Sequence, residues 1–142
     1  MSGTAPGGPD DHMRALLAVL LPFARDAIAE HGDFYPFGVT MLPDGELQTA
    51  ATWQGDGQPA AADVIEIVRT DLRARAERGE LLATAVVAGV AVEGAAFPLA
   101  IRVELEHRDG DAVTWIVPYR SDEDGYEEDE AFAVAGERHT WT

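Results

Sequence analysis

The chain has 142 residues, 46% of them apolar, with 26 acidic side chains against 10 basic ones and a formal charge of −16. That length suits one domain burying roughly 70% of its unfolded surface, and that charge repels nucleic acid and anionic lipid, whose recognition needs basic groups to neutralise phosphate. Cysteine and lysine are both absent, which excludes disulfides, thiolate metal sites, a P-loop lysine, Schiff-base chemistry and pyridoxal phosphate attachment.

Residues 1–9 are small and rich in Gly and Pro, the composition of a disordered start. The opening "MSGTAPGGPDDHM" lacks the basic start and apolar run of a signal peptide, and "ALLAVLLPFA" (15–24) is about half the ~20 residues that span a bilayer. Cytoplasmic residence without membrane contact is the expectation. Asp10 or Asp11 offers an N-cap, and Leu16, Leu17, Leu20, Ala24 and Ile28 fall on a helical stripe. Pro22 inside that stripe predicts a kink or two consecutive helices. Gly32 suits the left-handed closing position.

Phe34 to Leu42 reads as a strand, "PDG" (43–45) as a tight turn, and Leu47 to Trp53 as the antiparallel partner. A second helix spans about 60–78 and stops at Gly79, with Val64, Ile65, Val68 and Leu72 on its buried face and an Asp71–Arg75 pair away from it. Three strands follow. "LLATAVVAGVAV" (81–92) carries no charge. "LAIRVELEH" (99–107) sets Leu99, Ile101, Val103 and Leu105 against Arg102, Glu104 and Glu106 on the other face. "AVTWIVPYR" (112–120) follows the "RDGD" turn. The pattern predicts an α+β fold of order α-β-β-α-β-β-β, a single antiparallel sheet of about five strands with two helices. It divides the chain into a disordered segment (1–9), one domain (10–120) and an acidic, partly disordered tail (121–142).

Motifs that carry chemistry are scarce. "HGDFYPFG" (31–38) packs aromatics at the junction of the first helix with the sheet, and alternation sets Tyr35 and Phe37 on one face. "GDGQPA" (55–60) has the lettering of a dinucleotide fingerprint, but it follows a hairpin strand in a chain too short for a doubly wound sheet. The tail "SDEDGYEEDE" (121–130) fails as an EF-hand loop, because aligning Gly125 puts Arg120 first and Ala131 last, where acids belong. The histidines at 12, 31, 107 and 139 show no metal-ligand spacing, and Glu106 and His107 point to opposite faces of one strand. Ser2 and Ser121 are the only serines. No catalytic, cofactor-binding or metal-binding residue is nominated, and no cofactor is expected.

"HGDFYPFG", with "LPDGEL" (42–47), "IRVELEHRDG" (101–110) and "VPYR" (117–120), resembles a family of small uncharacterised bacterial proteins over residues 13–120. That resemblance implies a shared fold and brings no activity with it. The element order separately resembles that of roadblock (dynein light-chain-like) domains, dimerising adaptors that regulate partners, commonly GTPases. An acidic tail stands here in place of their final helix.

The expected function is a non-enzymatic protein-interaction module; the alternatives are an acidic inhibitor or immunity-type protein that blocks a basic enzyme, and a small-molecule binder. Candidate partner-binding residues are Asp122, Glu123, Asp124, Glu127, Glu128, Asp129 and Glu130. A small-molecule pocket would draw on Tyr35, Phe37, Trp53, Trp115 and Tyr119. The uncharged 81–92 strand, if it lay at a sheet edge, would invite pairing with another chain; it is therefore central, covered or part of a dimer, and of these a homodimer is expected.

Overall fold

The computed structural model describes residues 7–32, 34–49, 60–92 and 96–141. Helix α1 (Pro9–His31) precedes strands β1 (Phe37–Met41) and β2 (Leu47–Thr49); helix α2 (Ala61–Glu77) is followed by β3 (Ala83–Ala91), β4 (Leu99–His107), β5 (Ala112–Asp122), β6 (Gly125–Glu128) and β7 (Phe132–Ala135). All strand pairs are antiparallel, in the order β2-β1-β3-β4-β5-β6, with β7 also on β5. This is the expected α+β arrangement with a wider sheet. The two added strands both come from the acidic C-terminal segment.

The helices cover opposite faces of the sheet. Alternation along β3 shows this directly: Ala83, Ala85 and Val87 pack with Leu16, Leu20 and Ile28 of α1, whereas Val86 and Ala88 pack with Val64, Val68 and Leu72 of α2. Successive strand side chains point to opposite faces, so one apolar strand feeds two cores. This explains why 81–92 bears no charge. β3 is central, paired with β1 on one side and β4 on the other, so the edge on which a homodimer was expected does not exist at this strand.

Helix α1 is one continuous helix through Pro22. Pro22 and Ala18 both lie on its exposed side, so the carbonyl left without an amide partner faces water. Its N-cap is Gly8, with Pro9 at the first helical position, rather than Asp10 or Asp11. Asp11 contributes differently, its carboxylate accepting the Gly8 N–H at 3.2 Å. Gly32 closes the helix at φ 84° as expected, donating its N–H to the Ile28 carbonyl. In α2 the buried residues are Val64, Ile65, Val68 and Leu72, the stripe read from spacing. Arg75 donates to Gln48 Oε1 at 3.3 Å across to β2 instead of pairing with Asp71.

The "PDG" turn forms as expected, with Gly45 at φ 95° and its N–H donated to Leu42. Phe34 and Phe37 do plug the helix–sheet junction, with Phe37 edge-on to both Phe23 and Phe34. Tyr35 does not join them: it is 42% exposed, against 9% for Phe37. The strand begins only at Phe37, so strict alternation does not extend back through Pro36.

Candidate functional site

Four of the five residues expected to form an aromatic pocket are described. Phe37 and Tyr119 are buried in the α1-side core, Trp115 packs against it, and Tyr35 is exposed. Trp53 lies outside the described residues, as does "GDGQP" at 55–59.

The seven candidate acids divide into two groups. Glu128 turns inward, where Arg25 of α1 holds its carboxylate with hydrogen bonds of 2.6 and 3.0 Å and the Tyr126 hydroxyl donates to it at 2.5 Å. Burial pushes the Glu128 carboxyl up, but the Arg25 and Tyr126 bonds outweigh burial and hold it below the usual carboxylate range. Burial, followed by the bond to Glu128, pushes the Tyr126 hydroxyl up. Glu127 pairs with Arg120 across the β5–β6 hairpin. Asp122, Glu123, Asp124, Asp129 and Glu130 remain exposed. They sit on a defined hairpin, with Gly125 at φ 119° and Asp122 accepting the Asp124 N–H at 2.8 Å.

Strand β7 carries an open edge. It pairs with Val113–Ile116 of β5 and with no other strand among the described residues. All four of its residues are exposed, including Phe132 and Val134 at 48% each. Residues 131–136 ("AFAVAG") contain neither charge nor proline, the features that normally guard an edge. Acids flank the strand on both sides, Asp129 and Glu130 before it and Glu137 after it.

A polar chamber lies on the α2 face. Arg102, Glu104 and Glu106, spaced two apart on β4, point to the side covered by α2 and by the segment after β7. Glu106 is only 2% exposed. Its carboxylate accepts the backbone N–H groups of Thr140 at 2.9 and 3.0 Å and of Trp141 at 3.3 Å. Thr140 and Thr84 share a hydroxyl contact at 3.2 Å, and Arg73 donates to the His139 carbonyl at 3.0 Å. Residues 136–141 are thus a strap tied over β4 and β3, not a loose end. Beside it, Arg69 of α2 donates to both oxygens of Glu104 at 2.6 and 2.7 Å and to Glu66 at 3.0 Å. Burial lowers the Arg69 pKa, but these carboxylates more than compensate and the net shift is upward. His139 Nε2 meets Glu104 at 3.1 Å. A cavity of about 380 Å³ opens here, lined by Arg69, Arg102, Glu104, Thr114, Glu137 and His139.

Sequence reasoning missed this chamber because an alternating polar face on a strand reads as solvated. The available signal was the pairing of Arg102 with two acids at the same spacing, opposite an arginine-rich helix. Glu106 and His107 do separate to opposite faces as read. His107 Nε2 lies 2.8 Å from His12 Nδ1, both rings being buried beneath the start of α1.

The class that the fold and these features define is an antiparallel α+β domain with a helix on each face, an unguarded edge strand and a strapped polar chamber. Comparisons with protein-family models, curated proteins and solved structures return no match. Among the described residues no helix is long and apolar enough to cross a membrane, and no cluster of three or more His, Asp or Glu side chains could hold a metal ion.

Proposed function

We propose that the protein is a non-enzymatic interaction module that captures an extended, basic segment of a partner protein by strand addition to β7. The observation that carries this reading is the uncharged, fully exposed edge of β7. Its main-chain groups supply affinity for any extended peptide, and alternate side chains supply selectivity. Charge supplies the sign of the partner. The acids on either side of β7 and the exposed hairpin acids favour arginine and lysine and steer their approach, so association is fast and salt-sensitive. Inhibition of a basic enzyme is the narrower form of this role, with the same surface engaging the enzyme.

The test uses the full chain and a synthetic ten-residue peptide alternating arginine with valine, followed by amide chemical shifts. Saturable shifts at residues 132–135, weakened when salt is raised, are expected. Val134→Lys places a like charge on an exposed edge position and should weaken the peptide by roughly tenfold or more. Shifts confined to other residues, or affinity insensitive to both salt and Val134→Lys, overturn the proposal. A dimer of the free protein that Val134→Lys dissociates would assign the edge to a second copy and overturn the basic-segment reading. A turnover abolished by Glu104→Gln would overturn the non-enzymatic assignment.

A further inference from the structure

The geometry points to a second binding site, independent of the β7 edge: we infer that the α2-face cavity binds a small oxyanion, a carboxylate or phosphate group, on the guanidinium of Arg102. Arg102 lies on β4 between Ala88 of β3 and Ile116 of β5, a position enclosed by strands on both sides. It makes no hydrogen bond among the described residues, and its nearest carboxylate oxygen, on Glu104, is 3.8 Å away. Its Nε is buried without a partner, as is that of Arg69, while the Arg102 side chain as a whole is 32% exposed. A buried N–H left unsatisfied is costly, because its desolvation is not repaid by a hydrogen bond. The fold accepts that cost beside a cavity of about 380 Å³, within the volume range of small-molecule sites.

The lining sets two guanidinium groups, Arg69 and Arg102, against two carboxylates, Glu104 and Glu137. Glu104, the nearest acid, is held more closely by Arg69 through both oxygens and by His139 than by Arg102, whose ion pair with it is long at 3.8 Å. The Thr114 hydroxyl, across the β4–β5 register from Glu104 and lining the same cavity, makes no hydrogen bond to the described protein and is a neutral donor. A planar five-donor fork matches a carboxylate or phosphate edge through two parallel bonds. Arg102 and Thr114 hold the oxyanion. Arg69, Glu104 and His139 form the wall that keeps the site in shape.

The experiment is a titration of the full chain with inorganic phosphate and, separately, with acetate, read by the side-chain Nε–H resonance of Arg102 and by calorimetry. Saturable binding of at least one anion is expected; phosphate alone would identify a tetrahedral ligand, acetate alone a planar one. Arg102→Gln should weaken binding by roughly tenfold or more, as loss of a charge-assisted pair does. Arg102→Lys should recover only part of it, since the charge returns without the fork. Arg120→Gln, on the far hairpin, removes the same charge and should change nothing. Near-ultraviolet circular dichroism of the tryptophans verifies that each variant is folded, and Arg102→Lys carries the test if Arg102→Gln is not. Absence of saturation with either anion at about 20 mM, well beyond the weakest specific affinities, overturns the inference. So does an equal loss in Arg120→Gln, which would mean a diffuse charge effect.

Discussion

Histidine 107 joins two parts of the chain that are far apart in sequence. The Asp109 N–H donates to its Nδ1 at 3.0 Å, so the ring proton sits on Nε2 and is donated to His12 at 2.8 Å. Protonating His107 would place a second proton against the Asp109 amide and a charge in a buried site. Burial, and next the neighbouring His12, hold the His107 pKa below its ordinary value of 6.5. The unfolded chain therefore binds this proton more readily than the folded one. The stabilisation is complete above about pH 6.5 and is lost as pH falls through the depressed folded value. The urea midpoint is expected to drop between about pH 7.5 and pH 5.5, where histidine is the main titrating side chain, and His107→Gln should flatten that drop. An unchanged slope in the variant would assign the effect elsewhere. Nothing in "LEH" beyond opposite-face geometry announced this pair, because His12 is 95 residues away.

At the scale of elements, β4 and the C-terminal strap illustrate how a legible pattern acquires an illegible meaning. Alternation along 99–107 correctly separates Ile101, Val103 and Leu105 from Arg102, Glu104 and Glu106. What alternation cannot encode is that the polar side is roofed by α2 and by residues 136–141. Gly136 makes that roof. A Cβ there would lie 3.0 Å from the Val113 backbone nitrogen and carbonyl carbon and 3.1 Å from the Ala112 carbonyl carbon, atoms that cannot move independently of the β5 strand. Gly136→Ala should therefore lift the strap and destabilise the fold by about 1–3 kcal/mol, the usual range for overpacking. Hydrogen exchange would show the Thr140 and Trp141 amides, held by Glu106, losing protection before those of β3. If β3 and strap amides exchanged equally, the strap would not be a separable element.

For the whole molecule the dominant quantity is the charge of −16. Among the described residues few acids are neutralised as Glu104 and Glu128 are; like charges repel one another in the compact state. Screening should thus stabilise this protein, although it weakens surface ion pairs such as Arg120–Glu127. Raising salt from about 10 mM to about 0.5 M should relieve on the order of 1 kcal/mol and lift Tm by roughly 3–5 °C. A falling Tm would mean that specific ion pairs outweigh net repulsion.

Periodicity, turn residues and composition by themselves determined the α+β class, the element order through β5, the buried stripe of α2 and the Gly32 stop. These are encoded within a few residues of where they act. Tertiary structure decided the rest. It made β3 central, because pairing order is a nonlocal choice among strands of similar pattern. It turned "SDEDGYEEDE" into a hairpin by placing Arg25, 103 residues away, beneath Glu128. It also buried Glu106 under a strap whose amides satisfy it. Each outcome depends on a partner group brought from a distance, and a carboxylate's surroundings, solvent or arginine or backbone amide, exist only once the chain has folded.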